Sequence, residues 1–92
     1  MRIENMVNSK GNKVANQFII ENGQKTVFQS YQSTIAEYDR KTGILKVFTD
    51  WDYSQTTLKY FKKFVEEYTP HEYGTKAQWI RYSENHEKIS YM

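Results

Sequence analysis

Two aspartates that flank a tryptophan are the first residues whose types and spacing could do chemistry. Asp50 and Asp52 could bind a divalent cation or act as an acid and a base, because both tasks need closely spaced carboxylates. No third carboxylate follows at ligand spacing, and an aspartate just before a helix also interacts favourably with the helix dipole. The pattern therefore favours turn and capping roles, and we expect no metal site.

The histidines and serines lack the sequence context of a catalytic or metal site. His71 and His86 have no neighbouring cysteine and no second histidine at helical metal-binding spacing, and we interpret both as exposed loop residues. Ser30, Ser33 and Ser54 have no Gly-x-Ser-x-Gly context, and the four glycines build no phosphate-binding loop. We expect a protein that is not an enzyme and uses no cofactor.

Polar side chains are dense in the predicted strands, above all at Gln29, Ser30, Tyr31 and Gln32. One interpretation is a solvated sheet face that alternates with an apolar face. The other is a recognition surface in which the tyrosine and the amides contact a partner. We take these four residues as the candidate partner-binding segment.

A second candidate surface consists of Lys59, Lys62 and Lys63 on a predicted helix. Such lysines could contact phosphates while strand aromatics stack on bases. The charge is mixed, with 13 Lys and Arg against 11 Asp and Glu, and lysines on an amphipathic helix usually form its solvated face. Nucleic acid is therefore the alternative to a protein partner.

Length and composition indicate one small domain. The 92 residues leave room for a single core, and aromatics at 16% must supply much of its buried area. There is no cysteine, so packing has to stabilise the fold. The chain shows neither an apolar signal segment nor a membrane span, and we expect a cytoplasmic protein with no membrane partner.

Hydrophobic periodicity predicts an α+β fold in which an antiparallel meander covers about residues 14–49. Asn22-Gly23 indicates a tight turn after the first strand, and the second strand is predicted over residues 26–33. Residues 34–38 form a third extended segment, either separate or continuing past a bulge, and residues 44–49 form the last strand. The prediction is a sheet of three to four strands.

An amphipathic helix over about residues 54–69 is expected to cover this sheet. Asp50, Trp51, Asp52, Tyr53 and Ser54 form the junction, with Ser54 as the helix N-cap and both aromatics anchoring the helix on the sheet. The region from Thr75 suits a short helix or an extended segment, and we favour a helix to about Glu84, followed by a short terminal strand at Ile89 and Tyr91.

The rest of the chain fits one domain. Residues 13–92 are predicted to be a single α+β domain, and residues 1–12 a flexible arm or an edge strand. A homodimer formed through an exposed sheet edge is a further option.

Three blocks together resemble a family of small uncharacterised proteins from phages and other mobile elements of Gram-positive bacteria. The resemblance covers roughly residues 13–64. The blocks are Asn16-Gln17-Phe18, Phe28-Gln29-Ser30-Tyr31-Gln32-Ser33-x-Ile35-Ala36 and Asp50-Trp51-Asp52-Tyr53-Ser54-x-Thr56-Thr57-x-x-Tyr60.

The resemblance implies a genetic setting more than a mechanism. Small phage proteins without catalytic motifs are often binders that block a host protein, including anti-CRISPR and other counter-defence proteins. We therefore expect a non-enzymatic protein in the bacterial host cytoplasm that binds and inhibits or modulates a host protein or ribonucleoprotein complex.

Overall fold

A computed structural model describes all residues, 1–92, and shows a six-stranded sheet with two helices packed on one face. The strands lie side by side in chain order, and every neighbouring pair is antiparallel except the last, which is parallel. Neither helix is long and apolar enough to cross a membrane. The elements are β1 (Arg2–Val7), β2 (Lys13–Asn22), β3 (Lys25–Ser30), β4 (Ser33–Asp39), β5 (Leu45–Val47), a 3₁₀ turn (Thr49–Asp52), α1 (Gln55–Tyr68), α2 (Lys76–Glu84) and β6 (Ile89–Tyr91).

The α+β class is confirmed, but the predicted number of strands is wrong. β1 is an edge strand that pairs with β2 and buries only Met6 deeply, so its sequence carries no alternating apolar signal. β6 is the short terminal strand expected at Ile89 and Tyr91, and the structure adds it to the sheet beside β5. Both strands extend the predicted meander to six strands.

The predicted second strand is broken by a two-residue turn. Tyr31 has a φ of 57°, in the left-handed region, and β3 therefore ends at Ser30. Tyr31 and Gln32 join β3 to β4 with no glycine or proline to mark the turn. Residues 34–38 thus belong to a separate strand.

A bulge in β4 points two consecutive side chains toward the core. Phe28 pairs with Ala36 and Gln29 with Thr34, so Ile35 is an extra residue in the ladder. Ile35 and Ala36 are both fully buried. A strand that alternated strictly would bury only one of them.

The core lies between the sheet and the helices, and aromatic rings dominate it. Phe28 of β3 stacks on Phe64 of α1 with ring centroids 5.8 Å apart. The ring of Phe61 lies 5.4 Å from each of Trp51 and Trp79. Because each such ring buries roughly 150–250 Å², these contacts account for much of the buried apolar area.

Helix α1 begins where the sequence predicts. Ser54 is its N-cap, since the Oγ atom accepts a hydrogen bond from the Thr57 amide at 3.1 Å. The predicted apolar stripe packs on the core, fully or in part; its members are Leu58, Phe61, Phe64, Val65 and Tyr68.

Both helices belong to the connection between β5 and β6. A parallel pair requires the chain to cross the sheet, and α1 and α2 make that crossing. Helix α2 starts with a capping box, in which Thr75 and Gln78 bond each other's backbone amides. The C-terminal region therefore holds the favoured helix, which ends at Glu84, and after it the short terminal strand with Ile89 and Tyr91.

The sheet face opposite the helices carries a short apolar row. Ile3, Ile20 and Val27 are cross-strand neighbours there, and Ile3 is 57% exposed. We call this the outer face.

Candidate functional site

A groove with a volume of about 860 Å³ opens between β2, the turn from β3 to β4, and the start of α1. Three separate segments of the chain line it, and two strongly exposed tyrosines belong to it. We call it the tyrosine groove. Its lining residues are Asn16 and Phe18 of β2, residues 30–33 with Ile35, and Asp50, Tyr53, Ser54, Thr56 and Thr57.

Tyr31 stands in this groove on a strained backbone. Its amide donates to the Asn16 carbonyl at 2.7 Å, and its carbonyl accepts from the Gln29 side-chain amide at 2.8 Å. These two hydrogen bonds hold the left-handed conformation, which is unfavourable for a residue with a bulky side chain. Tyr31 is nevertheless 47% exposed. Burial of its ring in the core therefore does not explain why a tyrosine occupies this strained position.

Tyr53 does not anchor the helix, which corrects the prediction for this residue. Its side chain is 75% exposed and lines the tyrosine groove. The anchoring role belongs to Trp51, which is 9% exposed and packs against Phe61. The 3₁₀ turn explains the difference, because it directs one aromatic inward and leaves the other just ahead of the N-cap in solvent.

The two junction aspartates have different surroundings. Asp52 lies 3.2 Å from the Lys76 amino group at the start of α2. Asp50 lines the groove, and its carboxylate makes no hydrogen bond or ion pair within the protein. No cluster of acidic and histidine side chains is arranged to hold a metal ion.

Hydroxyl groups form a connected chain in the groove. Ser30 Oγ lies 2.9 Å from Thr57 Oγ1, and Ser54 Oγ donates to the same Thr57 oxygen at 3.1 Å. Ser30 and Thr57 are both almost completely buried. These hydroxyls bond one another, so the chain ties the β3 end to the first turn of α1 and fixes the shape of the groove.

Gln17 is a fully buried amide next to the groove, and neither its oxygen nor its nitrogen has a hydrogen-bond partner within the protein. It pairs with Ser30 in the ladder between β2 and β3, and its chain neighbours Asn16 and Phe18 line the groove. A buried polar group without a partner costs about 1–3 kcal/mol. We therefore expect Gln17 to lower the free energy of unfolding, which a substitution can test.

The four residues predicted to bind a partner do not share one strand face. Tyr31 and Gln32 are exposed in the turn, and both line the groove. Ser30 is only 2% exposed and is engaged with Thr57, while Gln29 is half-buried and bonds the Tyr31 carbonyl. The predicted polar strand face is thus a turn with two supporting residues.

The helix lysines lie outside the groove. Lys59 and Lys62 are exposed on α1, with the Lys59 amino group 5.6 Å from the Tyr60 ring centroid. Lys63 contacts the Val7 carbonyl and lies 3.8 Å from the Glu67 carboxylate. The predicted binding residues therefore divide between two surfaces.

The histidine prediction is wrong for His71, which is 6% exposed and lies against α2. Its Nδ1 atom is 2.8 Å from the Tyr82 hydroxyl, and its ring centroid is 4.9 Å from that of His86. Burial, with a smaller contribution from His86, lowers the pKa of His71 below its ordinary value. The histidine pair does not line the tyrosine groove.

Sequence reasoning noted Asn16 as an unusual polar residue in a strand but missed several other groove residues, including Phe18, Ile35 and Thr56. Their positions depend on the left-handed turn and on the bulge, neither of which has a clear sequence signal. One signal was present, because each of the three blocks that carry the family resemblance contributes residues to the groove. The blocks are distant in sequence and adjacent in space.

Comparisons with known proteins give a family but no function. No curated protein and no solved structure matches the chain. One family model matches residues 1–81, which include every residue of the tyrosine groove. The chain therefore belongs to the family of unknown function DUF8033.

Proposed function

We propose that this protein is a non-enzymatic binding protein of a phage or mobile element that inhibits or modulates a protein or ribonucleoprotein complex of its bacterial host. A counter-defence role, such as inhibition of a CRISPR complex, is the form of this function that the family resemblance favours. The contact surface is the tyrosine groove.

The conformation of Tyr31 is the observation that carries the proposal. Turn positions with positive φ favour Gly, Asn or Asp, and a tyrosine there is strained. Strain of this kind persists where the surrounding structure enforces it, and it clusters at binding sites. Its ring is half-exposed, and tyrosine is enriched among the residues that dominate protein interfaces. A partner contact accounts for both features.

The chemistry of the groove supports binding over catalysis. An activated nucleophile needs an adjacent base, but the hydroxyls of Ser30, Ser54 and Thr57 bond one another. Asp50 makes no hydrogen bond to any of them. The groove therefore offers hydrogen-bond donors, acceptors and aromatic faces rather than an acid–base pair.

Affinity capture from a lysate of the bacterial host tests this function. The tagged protein should retain a stoichiometric host protein, identified by mass spectrometry. Tyr31→Asn removes the ring and keeps a residue that tolerates positive φ, so this variant should fold and lose the partner. Tyr53→Ala should lose it as well.

Ile3→Thr is the matched control, since Ile3 is an exposed apolar side chain on the outer face and does not line the groove. This variant should capture the partner as the wild type does. The proposal is contradicted if no partner is retained, or if Tyr31→Asn captures it as well as Ile3→Thr.

Nucleic-acid binding is the second candidate, and the exposed Lys59 and Lys62 on α1 favour it. Binding through lysine–phosphate contacts should weaken steeply as salt rises, because bound phosphates release counterions. A gel shift with DNA and RNA at low salt checks this. Replacing Lys59, Lys62 and Lys63 by Glu should abolish the shift, whereas Tyr31→Asn should not; no shift at low salt ends this candidate.

A further inference from the structure

The tyrosine groove has a distinct charge pattern. Asp50 is the one acidic residue that lines the groove, and no Lys or Arg lines it. The remaining polar groups are neutral amides and hydroxyls. A phosphate or carboxylate in the groove would face an unpaired negative charge, whereas a cation would find a counter-charge.

Asp50 differs from the other two aspartates of the chain. Asp39 accepts a hydrogen bond from the Gln24 amide at 2.8 Å, and Asp52 pairs with Lys76. The carboxylate of Asp50 has no such partner and is exposed beside the groove. Its capacity to accept two parallel hydrogen bonds is therefore free for a ligand.

Aromatic faces complete a site for a planar cation. Tyr31 and Tyr53 line the same groove as Asp50, and neither hydroxyl makes a hydrogen bond within the protein. The face of a tyrosine ring is negative and attracts cations, most often the guanidinium group of arginine. Arginine also matches a carboxylate with two parallel N–H bonds, which lysine cannot do.

The start of α1 does not cancel this attraction. A helix N-terminus carries about half a positive charge, spread over its first turn. Ser54 already accepts a hydrogen bond from one amide of that turn. The full charge of Asp50 is larger, so the groove as a whole favours a cation.

We propose that the tyrosine groove binds an arginine side chain that an exposed segment of the partner protein presents. The guanidinium group stacks on Tyr31 or Tyr53 and pairs with Asp50, while the amides of Asn16 and Gln32 bond the main chain of the segment. The volume of about 860 Å³ suits a short peptide. This inference rests on the proposed function and specifies the partner chemistry.

A peptide selection tests the inference with the intact protein. A random peptide library displayed on phage is selected on the immobilised wild type and depleted on the Tyr31→Asn/Tyr53→Ala variant. Enriched peptides should carry an arginine at a fixed position. A synthetic peptide in which citrulline replaces that arginine should bind at least about tenfold more weakly, because a charge-assisted hydrogen bond is lost.

Two substitutions of neighbouring aspartates provide matched protein variants. Asp50→Asn should weaken the arginine peptide about tenfold and leave the citrulline peptide unchanged. Asp52→Asn should change neither affinity beyond about twofold, since Asp52 pairs with Lys76 outside the groove.

The outcomes separate this inference from the function on which it rests. Peptides that need the tyrosines but contain no arginine overturn the inference and leave the proposed function standing. Failure to enrich any peptide over the double variant overturns both the inference and the groove as the contact surface. A single-stranded oligonucleotide that binds wild type and not Tyr31→Asn overturns the inference in favour of a nucleic-acid ligand.

Discussion

Tyr31 and Asn16 are the two residues other than glycine with a positive φ, and they are joined by a backbone hydrogen bond. Asparagine tolerates this conformation through its short polar side chain, whereas tyrosine does not. Tyr31→Asn should therefore keep the free energy of unfolding or raise it by up to about 1 kcal/mol. Tyr31→Val should lower it by about 1–2 kcal/mol, since a β-branched residue is worse still at positive φ.

Urea unfolding followed by tryptophan fluorescence measures both variants, because Trp51 and Trp79 are buried and report on the core. Equal stabilities for the Asn and Val variants would show that the backbone is unstrained. If Tyr31→Asn is more stable than the wild type and no longer binds the partner, the role of Tyr31 is to contact that partner.

Gln17 is the second residue that we expect to lower the free energy of unfolding. Gln17→Met keeps the length of the side chain and removes two buried polar atoms that have no partner. The free energy of unfolding should rise by about 1–3 kcal/mol. The same urea titration measures the change, and a loss of stability would indicate that the amide makes interactions on which the fold depends.

His71 should make stability depend on pH. The pKa of His71 is lowered in the folded protein. When the pH falls below the ordinary pKa of 6.5, His71 is protonated in the unfolded chain but still neutral in the folded protein. Stability should therefore fall as pH decreases from 7 through 6.5 towards 5. In His71→Gln this slope should flatten in urea titrations over that range; an unchanged slope would assign it to other groups.

At the scale of elements, the start of α1 fixes one wall of the groove and part of the stability. Ser54→Ala removes the acceptor for the Thr57 amide and should cost about 1 kcal/mol. Ser54→Asp keeps an acceptor at the N-cap and should retain most of that stability. Urea unfolding compares the two variants, and equal losses would contradict the capping role.

The elements that the sequence predicts well are those with a repeating pattern. The period of α1, the N-cap at Ser54 and the Asn22-Gly23 turn follow from local chemistry, and the structure confirms them. Edge strand β1 pairs with β2, the next strand along the chain, whereas β6 pairs with β5 across both helices. β1 has too few periodic apolar residues to separate an edge strand from a flexible arm, and β6 is predicted only from Ile89 and Tyr91, without its parallel partner.

The groove was predictable only in parts. The sequence marked Tyr31 and Gln32 as part of a polar run in a predicted strand. It marked Asp50 and Ser54 as residues of the junction between sheet and helix. That these groups meet depends on the left-handed turn at Tyr31 and on the hydrogen bond between Ser30 and Thr57. Both are tertiary features, and neither follows from local propensity.

At the scale of the whole molecule, β6 ties the end of the chain into the sheet and the core. Ile89 is 8% exposed, the Tyr91 hydroxyl lies 2.6 Å from Ser83 Oγ, and the Met92 amide donates to the Val47 carbonyl. Removing residues 89–92 should cost at least about 2 kcal/mol, because a buried aliphatic side chain alone contributes that much. Urea unfolding measures the loss.

Ile89→Ala gives the same test in a milder form, should the truncated chain fail to fold. It should lower the free energy of unfolding by about 2–5 kcal/mol. Ile3→Thr on the outer face is the control and should change it by less than about 0.5 kcal/mol. Equal effects of the two variants would contradict a core role for β6.

The parallel pairing of β5 with β6 also has a consequence for the order of folding. Four antiparallel strand pairs join neighbours in sequence and can form early, but β6 can pair only after α1 and α2 have been made. β6 is therefore the last strand to join the sheet. Until β6 pairs, the edge of β5 is open to other chains.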